Sequence, residues 1–280
     1  MNYRKLKENE LNSWMIFTDL DGTLLDHDDY SFTQALPALE KIRQLQIPLI
    51  INSSKTYAEI KDIRRELDNH WAFAVENGAA VFLPQGNLSG YDNNMQQIIL
   101  GSPLEDILKV INSLREQYGF LFKGFSDYSV QALMLETGLT EIQAQQAKQR
   151  LASEPVKWLD TQENLNLFKQ ALQKQGLQLI KGGRFQHVIG QNDKSQAMAW
   201  MINKFRLHHV HTIALGDSMN DSRMLDLADY AVVISQLDGK HLQLNKRSQR
   251  VIYTQHPAPL GWQEAMTQLI TNTILGERNE

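Results

Sequence analysis

Two carboxylates, Asp19 and Asp21, follow an apolar run from Trp14 to Phe17, and Gly22 comes directly after them. The run reads as a short strand buried on both faces. Carboxylates at the end of such a strand are costly unless a cation or a proton compensates them. Ligands of open α/β sheets sit at that end of the strands. A plain turn also accounts for Asp and Gly after a strand. Asp-x-Asp-Gly begins many calcium loops too, but Leu24 and Leu25 spoil the register of oxygen ligands that such a loop needs. Three further features matter. Ser53 follows a second apolar run, Ile47 to Ile51; Lys194 stands at a helix start; Asp217 and Asp221 follow a third run, Thr212 to Leu215. In a parallel sheet these strand ends meet on one edge. Three carboxylates there would hold one Mg²⁺, which prefers oxygen ligands and keeps waters and substrate phosphate. A hydroxyl and a lysine would hold the remaining phosphate oxygens. The chemistry would be phosphoryl transfer by positioning and charge neutralisation. Ser53 has a plainer reading as well, since Ser53 or Ser54 can cap the helix that follows.

The elements that must position these residues alternate. Leu36, Leu39, Ile42 and Leu45 lie at helical spacing, with Ser31 as the cap. The Ile47–Ile51 strand is followed by a helix over Tyr57–Leu67. Trp71–Val75 is a third strand, and Asn77-Gly78 predicts a turn into a returning strand, Ala79–Leu83. Residues 84–94 are rich in Gly, Asn and Ser and read as a linker. A different rhythm follows. Helices are expected at Pro103–Tyr118, Thr140–Leu151 and around Leu165, Phe168 and Leu172, closed by Gly176. Strands are expected at Phe120–Phe125, Val156–Leu159 and Leu177–Lys181. Asp193 caps a helix over Lys194–Phe205. After Thr212–Leu215 come a helix to Ala228, strands at Ala231–Ile234 and Val251–Tyr253, and a closing helix at Gln263–Leu275. This order implies one doubly wound sheet interrupted by an inserted domain.

The chain has 280 residues, a net charge of −4 and no cysteine. That charge gives no electrostatic reason to expect nucleic acid or an anionic membrane. Lys246, Arg247 and Arg250 read as a solvated face. Without cysteine there is neither a disulfide framework nor a thiolate metal site. The polar residues 1–12 are not a signal peptide, and no apolar run reaches membrane-spanning length. A cytoplasmic protein is the expectation. His208, His209 and His211 cluster without a carboxylate, which argues against a metal there.

Together these residues resemble the haloacid dehalogenase superfamily of phosphatases. Its four signatures occur in order: Asp19-Leu20-Asp21-Gly22-Thr23, Ser53, Lys194, and Gly216-Asp217 to Asn220-Asp221. The resemblance narrows to the mannosyl-3-phosphoglycerate phosphatase family at Asn52-Ser53-Ser54-Lys55-Thr56, Glu76-Asn77-Gly78, Thr137-Gly138-Leu139-Thr140, Ser153-Glu154-Pro155 and Gly182-Gly183-Arg184-Phe185-Gln186-His187. It departs at Ser195, where that family usually has Gly, and at Ser53, where Thr is commoner.

The resemblance implies an α/β fold: a mostly parallel, doubly wound Rossmann-like core at 1–88 and 187–280, with an inserted α+β cap at 89–186. It implies Asp19 as nucleophile and Asp21 as acid and base. Mg²⁺ would be held by the carboxylates of Asp19 and Asp217 and by the backbone carbonyl of Asp21, with Asp221 orienting metal waters or Lys194. Ser53, Lys194 and Asn220 would hold phosphate. The substrate would be a small phosphorylated sugar bearing a carboxylate, for which Arg184, with His187, is the candidate partner, because a guanidinium meets a carboxylate two-pronged. Gly182-Gly183-Arg184 reads equally as a hinge. Lys55 serves the same anionic end or forms a surface ion pair. Rival readings are a broad sugar phosphatase, a sucrose- or trehalose-phosphate phosphatase, a phosphosugar mutase and a non-catalytic phosphosugar sensor.

Overall fold

The computed structural model describes residues 14–90, 94–182, 184–207, 209–244 and 250–276. Residues 1–12, Gly183, His208, Lys246 and Arg247, on which the sequence bears readings, lie outside the described residues. The first elements are β1 (Trp14–Thr18), α1 (Leu36–Gln44), β2 (Leu49–Asn52), α2 (Tyr57–Glu66), β3 (Phe73–Val75), β4 (Ala80–Pro84) and β5 (Met95–Ile99). Then come α3 (Leu104–Tyr118), β6 (Phe122–Gly124), α4 (Val130–Thr137), α5 (Glu141–Ala147), β7 (Ser153–Trp158), α6 (Gln162–Lys174), β8 (Gln178–Lys181) and β9 (Gln186–Ile189). The chain continues with α7 (Lys194–Lys204), β10 (His211–Gly216), α8 (Ser222–Leu227), β11 (Tyr230–Val233), β12 (Val251–Tyr253) and α9 (Leu260–Leu269). By contacts it divides into two units, residues 1–52 with 198–280, and residues 53–197.

In the first unit, β2, β1, β10, β11 and β12 lie side by side, and every pairing is parallel. All residues of β1 and β2 are buried. That explains their unbroken apolar runs, since a parallel strand is covered by helices on both faces. The fold is the doubly wound α/β class expected, with helices on both sides of a mostly parallel sheet. The register sets the functional edge. Thr18 lies opposite Leu215 on one side and opposite Ile51 on the other, so Asp19 and the Gly216–Asp217 stretch leave the sheet together. The buried indole of Trp262, from α9, donates to Thr18 Oγ1 at 3.1 Å. Gln263 Oε1 accepts the N–H of Ala38 at 2.9 Å and joins α9 to α1.

One helix is phased differently from its pattern. Leu36 is 45% exposed, and α1 buries Ala38, Leu39 and Ile42 instead. Residues 33–35 form a 3₁₀ turn before it, and Pro37 stands at its start. Leu36 opens α1 directly after that turn, and the helix buries its apolar side chains only from Ala38 on. Ser31 does not cap α1; its hydroxyl accepts the N–H of Thr33, where the 3₁₀ turn begins, at 3.2 Å.

In the second unit, β4 pairs antiparallel with β3 and with β5. Tyr57 of α2 packs its ring 4.3 Å from that of Phe82. A separate four-stranded antiparallel sheet runs in the order β6, β7, β9, β8. Helices α3 and α6 lay Ile107, Ile111, Leu114, Phe168 and Leu172 against Phe122, Val156 and Val188 on one face of it. A smaller cluster gathers Phe125, Tyr128, Leu133, Ala144 and Ala147, with Phe185 packed on it. No helix among the described residues is long and apolar enough to cross a membrane.

Candidate active site

Asp19, Asp217 and Asp221 each offer one carboxylate oxygen, and these oxygens lie within 4.8 Å of one another. Asp19 and Asp221 are buried and Asp217 is half-buried. Three hard oxygen donors at this spacing suit a small divalent cation and would otherwise repel one another. The local sequence explains how they converge. Gly22 has φ +71°, and a Cβ there would stand 3.0 Å from Asp217 Oδ2. A side chain at 22 would thus be strained and would press on a carboxylate. Thr23 donates its hydroxyl to Asp217 Oδ1 at 3.1 Å. The N–H groups of Thr23, Leu24 and Leu25 all turn onto the Leu20 carbonyl, at 2.9–3.1 Å. Asp221 Oδ2 accepts the backbone N–H groups of Asp217 (3.2 Å) and Ser218 (3.1 Å). Gly216 makes room for it, since a Cβ there would lie 2.4 Å from Asp221 Cβ. Asp221, expected to orient metal waters or Lys194, thus has its carboxylate beside those of Asp19 and Asp217. The Asp21 carboxylate is not among the three. Asn220 Oδ1 accepts the Ser218 hydroxyl at 2.5 Å.

The remaining candidates belong to the second unit. Ser53 is buried, and its Oγ accepts the N–H of Lys55 at 3.3 Å. It does not cap α2. Thr56 does, in a capping box with Glu59: Thr56 Oγ1 accepts the Glu59 N–H at 3.3 Å, and Glu59 Oε2 accepts the Thr56 N–H at 2.8 Å. The plainer reading of Ser53 and Ser54 as caps is thereby removed. Lys194 is fully buried at the start of α7. Asp193 accepts the N–H of Gln196 at 2.9 Å, the capping expected of it, and takes the Ser195 hydroxyl at 2.5 Å. Lys55 lies 3.9 Å from Glu59 Oε1, with its side chain only 13% exposed.

Arg184 is exposed, and its Nη2 donates to the Thr137 carbonyl at the end of α4 at 2.8 Å. The stretches Thr137–Thr140 and Gly182–His187 thus meet. His187 is half-buried on β9. Burial first, and then the positive charges of Arg150 and Lys194, push its pKa down to about 3, so the imidazole is neutral near pH 7. Its Nδ1 is buried without a hydrogen-bond partner. Orphaned buried polar atoms are uncommon and mark sites that take a ligand or water.

Several contributing residues were not singled out from sequence. Thr23 was legible only as part of its motif. Gln236, whose Nε2 donates to the Asp217 carbonyl at 3.1 Å, gave no signal. Glu76, buried with positive φ, stands out in the sequence only as part of Glu76-Asn77-Gly78. Among the described residues, the aspartate triad is the single cluster of potential ligands at metal spacing. His211 instead packs its ring 5.0 Å from that of Trp14.

Comparison with known proteins agrees with this geometry. The family described as haloacid dehalogenase-like hydrolase matches residues 16–240. A protein of Persephonella marina named glucosyl-3-phosphoglycerate/mannosyl-3-phosphoglycerate phosphatase is 36% identical over 271 residues, 94% of this chain and 99% of its own. A Methanococcoides burtonii protein of the same name is 35% identical, over 91% of this chain and 97% of its own. Among solved structures, the phosphatase-superfamily protein BT1666 of Bacteroides thetaiotaomicron shares the fold with a TM-score of 0.64 at 16% identity, over 93% of this chain and 96% of its own. The subclass IIB sugar phosphatase BT4131 does so with a TM-score of 0.61 at 18% identity, over 91% and 98%. A carboxylate triad at the carboxyl edge of a parallel sheet and relatives alike along nearly the whole chain lead to one conclusion: this chain belongs to the haloacid dehalogenase-like hydrolase family, in its glucosyl/mannosyl-3-phosphoglycerate phosphatase branch, and is a phosphatase.

Proposed function

We propose that this phosphatase hydrolyses mannosyl-3-phosphoglycerate, or the glucosyl analogue, to the glycosylglycerate and phosphate. The convergence of Asp19, Asp217 and Asp221 carries the reading, and the names of two relatives supply the substrate class. Mg²⁺ would be held by the carboxylates of Asp19 and Asp217 and the Asp21 backbone carbonyl, with Asp221 behind them; bound there, it neutralises phosphate charge. In this mechanism Asp19 attacks phosphorus, a bond forms between its carboxylate oxygen and phosphorus, and the bond to the glycerate oxygen breaks. Asp21 gives a proton to the departing alkoxide and later takes one from the water that hydrolyses the aspartyl-phosphate. Ser53, Lys194 and Asn220 hold phosphate oxygens. The segment 89–186 is the cap of a core formed by 1–88 and 187–280.

The glycerate carboxylate is the part of this substrate that common hexose phosphates lack. Arg184 spends one N–H on Thr137 and keeps further donors in its planar fork. His187 brings a neutral ring with an unpartnered buried nitrogen. Lys55 completes the set. The test is release of inorganic phosphate from mannosyl- and glucosyl-3-phosphoglycerate beside common sugar phosphates, with and without Mg²⁺. Efficient turnover of the two glycosyl phosphoglycerates only when Mg²⁺ is present is expected. Equal turnover of plain hexose phosphates would replace this reading with that of a broad sugar phosphatase.

A further inference from the structure

Residues outside the proposed catalytic set form a connected polar network around the Ser53 loop. Glu76 and Asn77 have φ of +52° and +59°. Two successive non-glycine residues in that region carry a conformational cost. The turn they make presents the Asn77 N–H to the Ser53 carbonyl and the Glu76 N–H to the Lys55 carbonyl, both at 2.9 Å. The carbonyl between these two, that of Ser54, accepts Nη1 of Arg150 at 3.3 Å. Three consecutive carbonyls of the hydroxyl-bearing loop are therefore held by donors from two other stretches of chain.

Those two stretches are themselves joined. The fully buried Glu76 carboxylate accepts the N–H of Leu151 at 2.8 Å, the N–H of Ala152 at 3.1 Å and the hydroxyl of Ser153 at 2.6 Å. Arg150 Nη1 donates to the same Ser153 hydroxyl at 3.0 Å, and its Nε to the Ala147 carbonyl at 3.1 Å. The buried negative charge is thus met by three donors, with a guanidinium one bond further on. That is the arrangement in which burial of a carboxylate is tolerated.

We propose that Glu76 and Arg150 are positioning residues for the phosphate subsite, setting the Ser53 hydroxyl by fixing the backbone that carries it. The proposal rests on the reading of Ser53 as a phosphate ligand. Arg150 acts through the loop, and Glu76 holds both the loop and the segment from which Arg150 comes. A residue with a merely structural part would lower stability without depending on Ser53.

The experiment is a double-mutant cycle read by the inhibition constant of inorganic phosphate, with Ser53→Ala, Arg150→Met and the double variant, each checked for folding by circular dichroism. Arg150→Met alone is expected to weaken phosphate about tenfold, and to change it by less than about twofold when Ser53 is already alanine, because coupled residues are non-additive. Glu76→Gln gives the same pattern and serves if Arg150→Met does not fold. Equal effects in both backgrounds, or no effect in the parent, overturn the positioning role while leaving Ser53 as a ligand. Unchanged phosphate inhibition in Ser53→Ala itself overturns the ligand reading, and the positioning role with it.

Discussion

At the scale of single residues, the proposed recognition of the glycerate carboxylate falls to a charged fork, Arg184, and a neutral ring, His187. Arg184→Ala is expected to raise KM for a glycosyl phosphoglycerate by about tenfold or more, since a charge-assisted pair is lost. KM for a plain hexose phosphate should move far less. Equal shifts on both substrates would leave the carboxylate role unsupported. His187 makes a prediction in stability. Its folded pKa of about 3 lies below the ordinary 6.5, so between those values the unfolded chain binds a proton that the folded chain refuses. This contribution to stability is complete above pH 6.5 and is lost as pH falls toward 3. Denaturant titrations of the parent and of His187→Asn across that range should show a shallower decline in the variant. Identical slopes would mean that the imidazole is solvated in the folded protein.

At the scale of elements, the strand ends matter because the chain leaves them in tight loops that carry carboxylates. Gly216 is the clearest case. A methyl group there would lie 2.4 Å from Asp221 Cβ, so either the β10 end or the Asp221 backbone must shift. Gly216→Ala is expected to cost about 1–3 kcal/mol, as overpacking does, and to weaken Mg²⁺ measured by calorimetry. Unaltered Mg²⁺ affinity would separate Asp221 from the metal group. Most elements were legible from pattern because burial on both faces leaves β1, β2 and β10 as apolar runs, and because α2, α3 and α6 keep one apolar face. Two were not. The sequence of β5, Met-Gln-Gln-Ile-Ile, is half polar and mostly exposed, so neither alternation nor an apolar run marks it. Helix α4 has apolar residues on several sides, with Leu133 buried and Leu135 90% exposed, so no face stands out. Thr56 and Glu59, three residues apart, did carry a capping-box signal that would have separated Ser53 from the cap.

At the scale of the whole molecule, the aspartate triad is built entirely within the unit of residues 1–52 and 198–280, whereas Ser53, Lys194, Arg184 and His187 belong to the unit of residues 53–197. The candidate site was legible as four separated motifs. What sequence did not disclose was the set of helpers, Thr23, Gln236, Glu76 and Arg150, whose partners are set by tertiary contact. The division of labour has a consequence. Phe168, buried in the core of the four-stranded sheet, should cost about 3–5 kcal/mol when replaced by alanine. Below its lowered melting point, Phe168→Ala should bind Mg²⁺ as the parent does. A parallel loss of Mg²⁺ affinity would show that the metal site does not stand on the first unit alone.

In the proposed mechanism Asp19 takes the phosphoryl group at the carboxylate cluster. Its most direct test is steady-state phosphate release from mannosyl-3-phosphoglycerate by Asp19→Asn in saturating Mg²⁺, with folding confirmed by an unchanged circular dichroism spectrum. An amide cannot serve as the attacking carboxylate, so turnover should fall by at least about a thousandfold. A folded Asp19→Asn enzyme that releases phosphate at a rate near the parent's would mean that Asp19 is not the nucleophile.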